Sequence, residues 1–390
     1  MAPRHSRSRS QFPTTQLVAG VGATALVSLL GVVLPSAEQQ AFALAGARHP
    51  TRRRCSVRLN SVGDVASRLV WLDVAEESES EATRGATVLP VFPLTAIHWP
   101  GNTVQLNIID PAYRQMYNDI LMSGARRVVM PFTRSLPGGR VRYAEMPVED
   151  RRLFSFAPIL FLEDLDEVSA QSGGAVKYVA THSVVGRARI NRLLNPSALF
   201  RTDENGNKVD YLRAEVEVLE EEEPSEADDN SDLDEDLAEQ LAETWIEIRS
   251  LAERMGEPRI QSEQFLRERI SSSPTWKIAQ LWAQLQMAQM KHREQILVVG
   301  EVRDWIEKQQ QAGLMSQEIP RKLDLPLPLA EKLARVQAPG FLDPGDGYWE
   351  PLLEIIAADG PAGRGRQLLQ AALDEVHVAR ARISLRDAFN

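Results

Sequence analysis

Four histidines in the body of the sequence, His98, His182, His292 and His377, are the side chains best placed by type to move a proton or hold a metal. They lie far apart in the sequence, so each is read as an inert or hydrogen-bonded imidazole. Asp228, Asn230, Asp232 and Glu239 fall at positions 1, 3, 5 and 12 of a calcium loop. Leu233, however, stands where the sharp turn of such a loop needs glycine, so the carboxylates are read as a solvated acidic linker. The sequence contains no Gly-Lys dipeptide, no Gly-x-Ser-x-Gly elbow, no His-Glu-x-x-His pair and no dinucleotide fingerprint after a strand. The commonest nucleotide and hydrolase chemistries are thereby removed. No catalytic residue, cofactor or metal is assigned.

Arg187 and Arg189 alternate on a strand-like run, with Arg126, Arg127 and Arg134 elsewhere. Together they could face phosphates, but strand arginines commonly pair with carboxylates, which are in excess here. There are 54 Asp plus Glu against 44 Lys plus Arg, a net charge of −10. Residues 1–60 hold eight arginines and one acid, Glu38, or +7, so the remaining residues carry −17. A body that acidic argues against nucleic acid as a partner. Trp245, Trp276 and Trp282 lie on helical stripes and are expected in a core.

The elements that must position these residues begin after a presequence. Leu17 to Leu34 is uncharged and apolar, follows Arg4, Arg7 and Arg9, and precedes the small-residue site Ala41-Phe42-Ala43, as in a secretory signal peptide. A membrane anchor would need about 20 such residues, which this run barely reaches. Next comes an acid-poor segment with Arg48, Arg52, Arg53, Arg54 and Arg58, the composition of an organelle transit peptide. The tandem resembles the two-part presequence of algae with complex plastids, with Phe42 where the transit peptide starts. A plastid is therefore expected, with the secretory pathway or a mitochondrion as alternatives, and no membrane once residues 1–60 are removed. The single cysteine, Cys55, lies in this segment, which leaves no disulfide or thiolate site in the body.

Residues 61–86 are polar, with Glu76-Glu77-Ser78-Glu79-Ser80-Glu81, and are expected to be a linker with one short helix around Val65 to Leu72. The folded part is expected from Thr87. Val88 to Leu94, with two prolines, suits an edge strand or strand end, and Thr103 to Ile109 alternates as a strand. Asp110-Pro111 opens a helix through Tyr113, Met116, Tyr117, Ile120 and Leu121, which Gly124 ends. Further strands are expected at 127–132, 159–162, 176–185, 188–194 and 209–219, the last after an Asn205-Gly206 turn. Many short strands with polar connections predict a small barrel over 87–220.

From Glu215 to Asp236 there are thirteen acids and no base, so 221–236 is expected to be an extended linker. Beyond it the period turns helical. Leu237, Leu241, Trp245, Ile248, Leu251 and Met255 share a face, a second helix covers about 261–270, and a longer one starts after Ser273-Pro274. These make a helical subdomain at 237–312. Residues 313–390 are Pro-rich and looser, with one amphipathic helix through Leu368, Leu369, Ala372, Leu373, Val376 and Ile383.

The strings Leu89-Pro90-Val91-Phe92-Pro93-Leu94, Trp99-Pro100-Gly101 and Ile109-Asp110-Pro111-Ala112-Tyr113-Arg114-Gln115-Met116 resemble the start of the Lon amino-terminal, substrate-binding domain. Lys177-Tyr178, His182, Gly186-Arg187-Ala188-Arg189-Ile190 and Leu193-Leu194-Asn195-Pro196 look like the stand-alone plastid members of plants and algae. The resemblance covers about 87–312. Asp110 stands where many members have Glu, and no ATPase or serine-lysine protease module is expected after the helical segment. The resemblance implies an α+β fold, a PUA-like β pseudo-barrel followed by an α-helical bundle. It implies a non-enzymatic module that binds polypeptide clients or docks on a protease or other assembly, in proteostasis. Pro93, Pro100, Gly101, Asp110, Pro111, Tyr113, Arg114, Gly186, Arg187, Asn195 and Pro196 match its motif, in structural roles. The alternatives are an RNA-binding PUA-like module, a small-molecule enzyme using the barrel-bundle cleft, and a purely structural subunit.

Overall fold

The computed structural model describes residues 69–74, 79–134, 143–173, 176–204, 208–219, 232–257, 261–314, 325–337 and 344–389. The presequence, Cys55, the Asn205-Gly206 turn, Asp228, Asn230 and most of the acidic run lie outside the described residues. The rest forms two compact units, one holding residues 48–292 and 341–390, the other 293–340.

In the larger unit the strands are β1 (Trp71–Asp73), β2 (Thr87–Val91), β3 (Thr103–Ile108), β4 (Arg127–Val129), β5 (Arg152–Phe154), β6 (Phe156–Glu167), β7 (Tyr178–Leu193) and β8 (Leu212–Leu219), with helix α1 (Pro111–Ser123) between β3 and β4. The six-stranded sheet runs β3-β7-β6-β4-β2-β8, and β8 pairs back onto β7. Five strands therefore close a ring, and β3 lies outside it along the first half of β7. The closure is possible because β7 changes partner. Residues 178–183 pair with β3 and residues 187–193 with β8. Between them the register against β6 shifts, Ile159 facing Gly186 and Leu160 facing Val184, which leaves Val185 over as a bulge. The two strands expected at 176–185 and 188–194 are thus one strand bent at that bulge.

Alternation fills the ring as the pattern of β8 requires. Leu212, Ala214 and Val216 are buried with Val91, Val129, Ile159, Ala188 and Ile190. A second cluster puts Met116, Tyr117 and Ile120 of α1 against Val128, Leu160, Leu162 and Ala180 of the sheet. The start of α1 follows from its sequence: Asp110 Oδ1 accepts from the amide of Ala112 at 3.1 Å, and Pro111 occupies a position whose amide needs no partner. Gly124, at φ 72°, ends the helix by donating to the Leu121 carbonyl.

Three expectations are corrected. Leu69 to Asp73 is not helical: Trp71–Asp73 is a strand paired with β5, so structure begins before Thr87. Of the two forms expected for Val88 to Leu94, the edge strand is excluded, since β2 pairs with both β4 and β8, while Pro93 does fall past the strand end. The prolines are tolerated for a local reason: Phe92 and Leu94 donate to Val129 and Pro131, so Pro93 turns its nitrogen away from β4, beyond the last residue paired with β8. The last seventy residues hold more order than one helix.

The helices of this unit are α2 (Glu235–Met255), α3 (Glu263–Ser272), the first part of α4 (Thr275–Gln311), and, after α5 (Leu327–Gln337) of the other unit, α6 (Asp346–Ala357) and α7 (Gly360–Phe389). Asp234 caps α2 through the Leu237 amide at 2.8 Å, and Gly256 at φ 72° closes it. Trp245, Trp276 and Trp282 are buried, as expected of the helical stripes. One apolar cluster contains these tryptophans, Leu352, Ile356, Leu368, Ala372 and Val376 of α6 and α7, and also Trp99, Phe132 and Phe154 of the barrel. Barrel and bundle thus share a core, and the architecture is the expected α+β pseudo-barrel followed by helices. The smaller unit packs α5 on the far part of α4 through Val298, Leu333 and Val336, with a Lys332–Glu301 ion pair at 2.7 Å.

Candidate functional site

The ionisable residues singled out from the sequence do not converge. His182 is wholly buried, its Nε2 3.0 Å from Tyr117 Oη, and burial pushes its pKa down to about 4, so the ring is neutral at neutral pH. Asp232 accepts from the amide and hydroxyl of Thr275 at the start of α4, Leu233 is buried, and Glu239 is exposed on α2. Asp232 thus caps α4, while Asp228 and Asn230 lie outside the described residues. Among the described residues no cluster of three His, Cys, Asp or Glu side chains could hold a metal, and no helix is long and apolar enough to cross a membrane.

The motif residues have local tasks. The Asn102 amide donates to the Trp99 carbonyl at 3.2 Å across a turn with Pro100 second and Gly101 third, and Gly101 takes φ 83°, which a side chain would oppose. Tyr113 stacks on Phe92 at 4.1 Å and its Oη accepts from Lys208 Nζ at 3.1 Å. Burial raises the Tyr113 hydroxyl and lowers the Lys208 ammonium, the latter opposed by Asp110. The Arg114 amide makes the first turn bond of α1, to the Asp110 carbonyl. Gly186 sits beside the β7 bulge, and Arg187 behind it is buried, donating to the Ile356 and Ala358 carbonyls at 2.5 and 3.0 Å. Asn195 spans the β7–β8 gap: Nδ2 donates to the Tyr211 carbonyl at 2.9 Å and Oδ1 accepts from the Arg213 amide at 2.7 Å. Pro196 then starts a 3-10 turn, Pro196–Leu199. The arginines expected to share a face are divided: Arg187 is buried against the end of α6, Arg134 pairs with Asp150, and Arg126, Arg127 and Arg189 are exposed.

What the structure adds is a groove beside Asn195. It encloses about 440 Å³ and is lined by Glu79, Ser80, Glu81, Ala82, Val88, Leu194, Asn195 and Arg213. One wall is the segment expected to be a free linker. The Ser80 amide donates to the Leu194 carbonyl at 2.9 Å, and its hydroxyl to the Leu193 carbonyl at 3.2 Å. Glu79 Oε1 accepts from Ser197 Oγ at 2.8 Å and from Arg201 at 3.3 Å. Arg192 Nη2 reaches the Glu81 carbonyl at 2.9 Å, Thr83 Oγ1 at 3.1 Å and Glu215 Oε2 at 2.8 Å. The Thr83 amide donates to the same Glu215 oxygen at 3.0 Å, and that bond, with Arg192, holds the Glu215 carboxyl below its ordinary value.

The barrel thus meets this segment with two arginines, a serine hydroxyl and two main-chain carbonyls, which bind the Glu79 carboxylate, the Ser80 amide and hydroxyl and the Glu81 carbonyl. Sequence reasoning missed Arg192, Ser197, Arg201 and the role of Glu215. The available signal was charge: arginines along β7 and beyond it, opposite a Glu-Ser-Glu run and the acidic face of β8.

No family model matches the sequence, and no curated protein matches it. Among solved structures, the chain is similar to a Lon N-terminal domain protein from Xanthomonas campestris, at 21% identity over 50% of this chain and 98% of that one, with a TM-score of 0.26. It is also similar to the N-terminal domain of the Mycobacterium avium complex Lon protease, at 11% identity over 75% of this chain and 98% of that one, with a TM-score of 0.28. Its structural neighbours are thus Lon N-terminal domain proteins.

Proposed function

We propose that the chain is a non-catalytic polypeptide-binding or adaptor module, of the stand-alone plastid kind, that presents its barrel groove to an extended segment of a client or of a protease or assembly partner. The observation that carries this reading is Glu79 to Thr83, a stretch of polypeptide outside any strand or helix that is held on the barrel by main-chain and side-chain hydrogen bonds. A surface that holds one such segment has the chemistry to hold another, because main-chain bonds give affinity whatever the sequence and the flanking side chains give selectivity. The sequence resemblance at residues 89–116 supports the same reading, and the presequence supports the plastid.

The test is retention of a destabilised client by the purified chain in a pull-down without ATP. Retention is expected, and failure with several clients would count against the reading. Filter binding of RNA over a salt series separates the nucleic-acid alternative, for which affinity would fall steeply as salt rises.

A further inference from the structure

We propose that residues 79–83 are a tethered ligand of the barrel surface formed by Arg192, Leu193, Leu194, Ser197 and Arg201, and that the ligand this surface takes from another chain is an acidic segment in which a carboxylate is followed by a hydroxyl residue. The contacts define the pattern position by position. Glu79 is read by its carboxylate, through Ser197 Oγ and Arg201. Ser80 is read by both its amide and its hydroxyl, through the consecutive carbonyls of Leu194 and Leu193. Glu81 is read at its carbonyl by Arg192, which is itself fixed by Glu215. Two guanidinium groups facing a segment of such composition are complementary in charge, and a basic segment would meet them with repulsion.

The segment is bound yet replaceable. Its side chains are largely exposed and so are the arginines, Arg192 at 43% and Arg201 at 64%, so these bonds form in competition with water. What keeps it in place is tethering: β1 upstream is paired with β5, the Val74 amide is bonded to the Arg151 carbonyl, and β2 downstream is paired with β8. A segment fixed at both ends has an effective concentration on the order of millimolar, so a free peptide competes poorly until the tethered segment is weakened.

The inference rests on the polypeptide-binding reading, and the experiment separates the two. The probe is a fluorescent peptide with the sequence of residues 79–86, its binding to the full chain followed by anisotropy. The chain with Glu79→Ala and Ser80→Pro, which removes the carboxylate, the hydroxyl and the amide donor together, should bind the peptide at least tenfold more tightly than the unaltered chain. Adding Arg201→Glu, at a solvent-exposed position where folding is not at stake, should return binding to the unaltered level. A peptide with lysines for both glutamates should not bind. Equal affinity of the two chains, or indifference to Arg201→Glu, would overturn the proposal. If a client is still retained in the pull-down while the peptide ignores these changes, the inference falls and the broader reading stands; if neither client nor peptide is held, both fall.

Discussion

His182 shows what burial does to a single side chain here. Its ring is fully enclosed between β3, β6 and α1, and its pKa, about 4 against an ordinary 6.5, is lowered by loss of solvent. Below pH 6.5 the unfolded chain takes up a proton that the folded one refuses until about pH 4, so stability is full above 6.5 and is lost as pH falls through this window. The difference corresponds to roughly 3 kcal/mol at most. Urea denaturation at pH 7 and pH 4.5 should show a loss in the wild type that is about 2 kcal/mol smaller in His182→Gln; an equal loss in both would show that other groups carry the acid sensitivity. The strand location of His182 was legible in the sequence. Its partner was not, because Tyr117 lies on another element, 65 residues away.

Helix α7 comes close to α2 and to the residues just before it at Gly365. A Cβ on Gly365 would lie 2.5 Å from Leu233 Cδ2 and 2.7 Å from Leu237 Cδ2, and both leucines are buried. Substitution by alanine gains about 1 kcal/mol in helix propensity, which masks part of the crowding. Gly365→Val gains less and crowds more, so it should cost about 1–3 kcal/mol, read as a lower urea midpoint. A midpoint equal to the wild type would mean that the leucines swing away freely. Elements of this kind divide sharply in how far the sequence exposed them. Helix α1 could be placed to the residue, because Asp110, Pro111 and Gly124 act locally. The alternation of Leu212, Ala214 and Val216 likewise marked β8. By contrast, β1 is three residues long and owes its existence to β5, some eighty residues on, so no local pattern announces it. The same holds for Glu79 to Thr83, whose polar composition suits solvent until Arg192 and Ser197 are brought beside it by the closing of the ring.

At the scale of the molecule, Arg187 links the two halves of the larger unit. The β7 bulge precedes it, its guanidinium lies 5.4 Å from the Trp276 ring, and it donates to carbonyls at the C-terminal end of α6, where a cation also meets the negative end of the helix dipole. Around it Trp349 packs on Phe132 at 4.8 Å, and Trp99 on Trp276 at 5.9 Å. The ring keeps its own interior cluster, but Trp99, Phe132 and Phe154 of the barrel are buried only in the cluster shared with α6 and α7. Tryptophan fluorescence and far-ultraviolet circular dichroism should therefore report coincident unfolding of the larger unit. Arg187→Met keeps the apolar stem but leaves two buried carbonyls without a donor, at a cost of about 3 kcal/mol. Arg187→Lys restores one donor and should recover part of that loss. Removal of residues 345–390 goes further, exposing Phe132, Phe154 and Trp276 together, and should yield a chain that binds a hydrophobic dye and melts without cooperativity. A truncated chain that still unfolded sharply, or an Arg187→Met variant as stable as the wild type, would show that the barrel stands alone and that its union with the helices is mere apposition.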